Sequence, residues 1–321
     1  MNCLVTGANG FIGHALLNKL NDTEEYNAFG AVRTMALSQV TPHKKMFSVG
    51  DFGTKCNWLE ALDGQQVVIH AAARTHIMDD AVTDPLFEYR KVNVEGTLHF
   101  ARQAASAGIK RFIFISSIKV NGESTVTGSP FKYTDKAMPE DPYGISKAEA
   151  EDGLWQINKE TGMEIVIIRP PLVYGPGVKA NFASMMRLLS KDLPLPLGAV
   201  KNKRSMVALD NLVDLIITCI EHPKAANQTF LVSDDQDVST TELLKKMAHA
   251  FGKEARLIPI PMKWIQGVAS LLGKKSVADR LCESLQVDIT HTKETLEWRP
   301  PVTMEQELTK IATSISSSRD M

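Results

Sequence analysis

Along the first half of the chain, short runs that are apolar nearly throughout alternate with longer stretches whose apolar residues recur every three or four positions. The runs at 3–6, 28–33, 67–70, 112–116 and 165–169 predict strands. Strands apolar on both faces belong to a parallel sheet covered by helices on both sides. The stretches at 11–20, 92–107 and 143–161 predict those covering helices. Such alternation predicts an α/β fold built on a doubly wound parallel sheet. After Arg169 the texture changes. Prolines crowd in at Pro170, Pro171, Pro176, Pro194 and Pro196, and the later patterns, at 210–221, 240–251, 262–272 and 304–314, are helical. The expected organisation is a sheet-based domain over 1–170 and a smaller, mainly helical lobe over 171–321, with a possible crossing of the chain back to the first domain.

Composition narrows the function classes. The 321 residues are 44% hydrophobic and 23% charged, which is ordinary for a globular chain and excludes disorder. The net charge of −1 leaves no basic excess to hold a polyanion, so nucleic acid is not an expected partner. No apolar run approaches the ~20 residues of a membrane span, and the opening Met1-Asn2-Cys3-Leu4-Val5 does not read as a secretory leader. Cys3, Cys56, Cys219 and Cys282 are scattered, which fits a reducing cytoplasm better than a disulfide framework.

Candidate chemistry begins directly after the first predicted strand. In Thr6-Gly7-Ala8-Asn9-Gly10-Phe11-Ile12-Gly13, Gly7 permits a tight turn, Gly10 lets the backbone approach a pyrophosphate, and Gly13 packs the helix against the sheet. The N–H groups opening that helix then face the phosphates, so a Rossmann-like dinucleotide site is predicted, with ligand held between domain and lobe. The second strand ends in Arg33, with no acid nearby in sequence. An arginine there suits a 2′-phosphate, which favours NADP(H) over NAD(H).

Tyr143 and Lys147 are four residues apart, on one face of a predicted helix. A fixed cation beside a phenol is expected to bring its pKa down from ~10 towards neutrality, making Tyr143 an acid/base. Pro139-Glu140-Asp141-Pro142 breaks the chain just before this helix. Ser116-Ser117 closes a strand of the same domain, where ligand chemistry takes place, so Ser117 is expected to hydrogen-bond the oxygen on which Tyr143 acts.

With these pieces in place, the chain resembles the extended short-chain dehydrogenase/reductases of the nucleotide-sugar epimerase/dehydratase family. The further matches are Gly50-Asp51-Phe52, His70-Ala71-Ala72-Ala73, Val92-Asn93-Val94-Glu95-Gly96-Thr97, Arg169-Pro170, Val173-Tyr174-Gly175-Pro176-Gly177, Asn181-Phe182, Arg204-Ser205-Met206-Val207, Asp210-Asn211-Leu212-Val213 and Trp298-Arg299-Pro300. The resemblance implies that Asp51 and Phe52 contact the adenine and that Ala71, Ala72 and Ala73 line the pyrophosphate and nicotinamide ribose. It implies cofactor roles for Phe11, Ile12, Asn93, Ser116, Pro170 and Val173 as well, with Lys147 on the ribose hydroxyls. On the substrate side it implies Asn181 and Arg204 at the phosphates of a UDP-sugar, Leu195 and Leu197 at the base, and Arg280 as a further candidate. It also implies a homodimer made through the helices over 92–107 and 143–161.

Two departures bear on the reaction. Family epimerases commonly carry a tyrosine after the serine motif, where this chain has Val120-Asn121-Gly122, and dehydratases carry an acidic pair where it has Ile118 and Lys119. Dehydration is therefore the least expected outcome. Hydride transfer at the sugar C4 is expected, ending in 4-epimerisation or 4-keto reduction, in the synthesis of surface polysaccharide. The histidines show no metal-ligand spacing, and no metal is expected. The rival reading is a non-catalytic NADP(H)-binding sensor or binding module. Retention of Ser117, Tyr143 and Lys147 together weighs against it.

Overall fold

In the computed structural model the described residues are 1–34, 45–75, 84–178, 193–271 and 275–317, with Phe182, Met185, Met186, Leu188, Leu189 and Gly273 besides. Strands β1 (Asn2–Thr6), β2 (Asn27–Val32), β3 (Lys45–Ser48), β4 (Val67–His70), β5 (Arg111–Ile115), β6 (Glu164–Arg169) and β9 (Gln228–Leu231) form one sheet in the order β3-β2-β1-β4-β5-β6-β9. Every pairing in it is parallel. The five predicted strands are all present, each within a residue or so of its expected ends. Helix α1 (Phe11–Asn21) follows β1, α2 (Leu59–Leu62) precedes β4, and α3 (Pro85–Tyr89) and α4 (Thr97–Ser106) precede β5. Helix α5 (Pro142–Thr161) lies between β5 and β6.

The sheet is buried on both faces because its strands carry no polar alternation. One core gathers Val5, Ile69, Ile113 and Ile168 with Leu16, Leu20, Leu212 and Ile216. The other gathers Leu4, Val68, Phe112 and Ile167 with Trp58, Phe100, Leu154 and Ile157. Helix α6 (Leu209–Glu221) belongs to the first of these, so residues beyond 171 help to cover the sheet and supply its last strand, β9.

A third core gathers other residues of the later chain: Tyr174, Phe182, Met206, Leu244, Met247, Leu308 and Ile311. It is built from α7 (Thr240–Ala250) and α11 (Met304–Ser317), with α8 (Met262–Leu271), α9 (Lys275–Cys282) and α10 (Thr290–Leu296) completing the helices. Two short strands, β7 (Leu172–Tyr174) and β8 (Met206–Ala208), pair in parallel with Val173 opposite Val207. No described helix is long and apolar enough to cross a membrane.

Candidate active site

Strand order reverses between β1 and β4, and the crevice at such a reversal opens at the carboxyl ends of the strands. The glycine loop follows β1, Ala71 follows β4, Ser116 and Ser117 follow β5, and Pro170 follows β6. Gly7 has φ +66°, and a Cβ there would come within 2.9 Å of the Ala72 backbone. At Gly13 a Cβ would stand 2.2 Å from the Gly7 carbonyl oxygen, a collision with backbone that no side chain escapes. Helix α1 starts on Gly10, with no side chain capping it and no acid in its first turn. Its N–H groups and partial positive charge are thus left for an anion, and the loop fits a pyrophosphate.

Arg33 and Asp51 stand at the ends of adjacent strands β2 and β3. Although distant in sequence they are 3.9 Å apart, both side chains well exposed. The expectation that no acid lies near Arg33 fails here, because β3 brings one across. Phe52 stacks on the buried Trp58 at 5.2 Å.

A π-helical turn, Arg90–Gly96, joins α3 to α4 and carries the buried Asn93. The Asn93 amide accepts from Arg74 N–H (2.8 Å) and donates to the Arg74 carbonyl and to Ser146 Oγ (both 3.0 Å). It thereby fastens the loop after β4 to α5. His70 is buried between Thr6 and Thr97 hydroxyls, at 2.7 and 3.0 Å. Burial and then the Lys147 charge lower its pKa to about 3, so it is a neutral brace.

Helix α5 starts as its sequence directs. Asp141 caps it by accepting from Gly144 N–H at 2.7 Å, and Pro142 takes the first helical position. The half-buried Tyr143 sits edge-on to Tyr89, with ring centroids 5.9 Å apart. Lys147, one turn on, is buried. Its ammonium donates to the Ile115 carbonyl at 2.8 Å and lies 4.3 Å above the Phe114 ring. It stands 6.0 Å from the centre of the Tyr143 ring.

The expected lowering of the Tyr143 pKa is corrected by this geometry. Burial, with Asp141 and Tyr89 adding to it, pushes the phenol above its usual range, and burial brings Lys147 down to about 7. Two desolvated groups each resist charging, and that outweighs their attraction in the protein alone.

Ser117 is buried and caps a short 3₁₀ turn, Ile118–Val120, accepting from Lys119 N–H at 3.3 Å. Ser116 donates its hydroxyl hydrogen to Glu151, which leaves the hydroxyl oxygen as an acceptor. Ile118 is buried, and Lys119 is held by Asp141 (2.5 Å) and Glu123 (2.7 Å).

A model of the "NAD dependent epimerase/dehydratase family" matches residues 3–233. The chain belongs to this family. It is 51% identical over 304 residues to a UDP-glucose 4-epimerase of Vibrio cholerae, covering 94% of this chain and 92% of that one. It is also 26% identical over 306 residues to the N-acetyl-alpha-D-glucosaminyl-diphospho-ditrans,octacis-undecaprenol 4-epimerase of Escherichia coli O157:H7, covering 90% and 88%. Among solved structures, the UDP-N-acetylglucosamine 4-epimerase of Bacillus cereus superposes with a TM-score of 0.81 at 17% identity, covering 98% of this chain and 99% of that one. The UDP-glucuronic acid 4-epimerase of the same organism, in complex with NAD, gives 0.79 at 20%, with 99% of each covered. These two establish likeness of fold.

The residues that the epimerase/dehydratase resemblance assigns to substrate are less uniformly placed. Arg204, just before β8, donates to the Glu283 carbonyl at 3.2 Å, and burial lowers its pKa. Leu197 is buried in the third core, so only its backbone is available, while Leu195 is half-buried and bonded through its backbone to Arg256 and Ile258. Arg280 lies in α9, its side chain outside the described residues, as is Asn181 altogether. Sequence reasoning missed a further group behind Ser117. Glu151, Arg169 and Asn121, all buried, form a hydrogen-bonded chain there. Glu151 falls one turn after Lys147 on the same helix face, a spacing that could have flagged it.

Proposed function

We propose that the chain inverts carbon 4 of the hexose of a UDP-sugar, using a nicotinamide dinucleotide. What supports this reading is that Ser117 follows β5, while at the start of α5 the Lys147 ammonium holds the Ile115 carbonyl two residues before Ser117 and stands 6.0 Å from the centre of the Tyr143 ring. When bound, the dinucleotide would supply a hydride acceptor and donor for C4, positively charged when oxidised. The protein's own groups manage the proton and the geometry. Tyr143 takes the proton from the C4 hydroxyl and restores it, Ser117 hydrogen-bonds the same oxygen, and Lys147 supplies fixed positive charge. Val173, on β7, and Pro170 close the site from the sixth strand's end. The buried Ile118 after Ser117 offers no acid to expel a 6-hydroxyl, in keeping with epimerisation rather than dehydration.

The cofactor preference follows Arg33, whose exposed guanidinium at the end of β2 suits a 2′-phosphate, so NADP(H) is the favoured partner. On the substrate side, Arg204 would meet the diphosphate, aided by Asn181, Leu195, Leu197 and Arg280 as the family resemblance implies. A homodimer through α4 and α5 is supported by Phe87, 58% exposed beside them, and by the half-buried Leu98 and Trp155. Four free, buried cysteines agree with a reducing cytoplasm. A role in surface-polysaccharide synthesis fits the undecaprenol-linked relative. The division that goes with this reading is a dinucleotide-binding domain over 1–170 and a substrate lobe over 171–321, with α6 and β9 crossing back to the first domain.

The test is one incubation with UDP-glucose, UDP-N-acetylglucosamine and a UDP-4-keto-6-deoxy sugar, with and without NADPH. The expected result is C4-inverted product with no net cofactor oxidation. Stoichiometric NADPH oxidation would make the chain a 4-keto reductase, and inactivity on all three with cofactor bound would favour the binding module. Titration with NADPH and NADH in parallel settles the preference; equal affinities would remove Arg33 from the argument.

A further inference from the structure

The end of β5 is gripped from several directions. Ser116 N–H donates to the Ile168 carbonyl at 2.8 Å and Ile118 N–H to the Pro170 carbonyl at 2.9 Å. Between those two carbonyls, Arg169 sends its side chain to Glu151, through Nε at 3.0 and 3.2 Å and Nη2 at 2.5 Å, and to Asn121 Oδ1 at 2.9 Å. The Ser116 hydroxyl also donates to Glu151. Asn121 in turn donates to the Lys132 carbonyl at 3.0 Å. Ser117 thus sits between two residues tied to Ile168 and Pro170, and among the described residues its hydroxyl is bonded to the amide of Lys119. On the far side, Lys147 holds the carbonyl of Ile115, the residue before Ser116.

We propose that Glu151 is a positioning residue for the reaction: locked by Arg169, it fixes the Ser116 hydroxyl and so the strand end that carries Ser117, and it sets a carboxylate one helical turn from Lys147. This rests on the catalytic reading of Ser117, Tyr143 and Lys147 above. Glu151 touches neither substrate nor cofactor in this role. Its carboxylate accepts from three groups at once, which gives it one geometry and transmits that geometry to the serine pair.

Electrostatics adds a second consequence. Burial lowers the Lys147 pKa, and the Glu151 charge opposes that fall. The other groups around Lys147 are accounted for. His70 from β4 stays neutral, Tyr143 lies on the same helix with Tyr89 from α3 at its edge, and Arg169 from β6 reaches the site only through Glu151. Asp141, at the start of α5, is held by Lys119. Glu151 therefore favours the charged form of the ammonium, together with the Ile115 carbonyl and the Phe114 ring beside it.

Three variants test this. Glu151→Gln removes the charge, so Lys147 should lose its proton at lower pH and the alkaline limb of the kcat–pH profile should move down by about half to one unit. Glu151→Asp keeps the charge and should keep the profile, but it falls short of Ser116, so kcat should drop by about tenfold with KM little changed. Ser116→Ala spares the ion pair and removes only the tether. It should lower kcat by a similar factor with the profile in place, and it remains informative if Glu151→Gln does not fold.

The titration of the Lys147 ammonium can also be followed by NMR of lysine labelled at the ε-carbon, comparing wild type with Glu151→Gln. That measurement needs no substrate, so it reports on Glu151 even if the wild-type protein leaves every UDP-sugar untouched. A purely structural Glu151 would lower the unfolding temperature alone. Unmoved Lys147 titration in Glu151→Gln, or full kcat in Ser116→Ala, would overturn the proposal.

Discussion

Tyr143 is the proposed acid/base, and its surroundings make it a reluctant one in the protein alone. Burial raises its pKa while Lys147, at about 7, stands poised between charged and neutral forms. A positively charged nicotinamide held in the crevice would favour the Tyr143 phenolate, while the same charge would push the Lys147 ammonium further towards its neutral form. Tyr143→Phe should lower kcat by at least ~10² and leave dinucleotide affinity near wild type, as judged by single-turnover rates and fluorescence titration. Retained turnover would remove Tyr143 from the mechanism. The glycine loop, Ser117, Tyr143 and Lys147 were legible in the sequence because each depends on spacing within one strand, turn or helix. The union of Glu151 with Arg169, 18 residues away, and of Arg169 with Asn121, 48 away, was not, because only the strand order brings them together. The pairing of Arg33 with Asp51 escaped for the same reason.

Among the elements, β1, β2, β4, β5 and β6 announced themselves as apolar runs, whereas β3, β7, β8 and β9 did not. Strands β3 and β9 are polar at two of their four positions, and β7 and β8 have three residues each, too few to show a period. The π-helical turn was also invisible, since apolar residues on either side of it keep a helical rhythm. A single wide turn of this kind puts one extra residue into the helix and turns the following side chains to a new bearing. Here it carries Asn93, which meets the loop after β4 on one side and Ser146 on the other. Asn93→Ala would strip partners from the Arg74 backbone and Ser146 together. We expect roughly tenfold weaker dinucleotide binding and a lower unfolding temperature, from ~1–3 kcal/mol of lost hydrogen bonding. Calorimetric titration and thermal melts check it, and wild-type affinity would show that the loop holds itself.

For the molecule as a whole, the third core contains an expensive feature. Glu307, on α11, is fully buried, and neither carboxylate oxygen has a hydrogen-bond partner among the described residues. Lys310 approaches one of them to 3.6 Å, and Gly175 leaves room for the other, where a Cβ would stand 2.8 Å away. Burial, reinforced by Asp210, raises its pKa from 4.5 to about 7. A carboxyl raised on folding favours the native state when protonated. That contribution is complete below about 4.5 and is lost as pH climbs from there through 7. Glu307→Gln should therefore melt higher than wild type at pH 8 and show a flatter melting temperature between pH 5 and 7. Parallel curves for the two proteins would refute the assignment.

The last strand of the large sheet has a temporal consequence. Strand β9 pairs with β6, but residues 170–227 must be made before it exists. A chain still emerging from the ribosome, or cut after residue 170, has the six earlier strands with β6 as a bare edge, its backbone N–H and C=O groups open to any other strand. Helix α6, which covers that end of the sheet, is missing as well. The first domain alone is thus unfinished goods, prone to pairing with its copies, and the natural unit for expression, grafting or circular permutation runs at least to Val232.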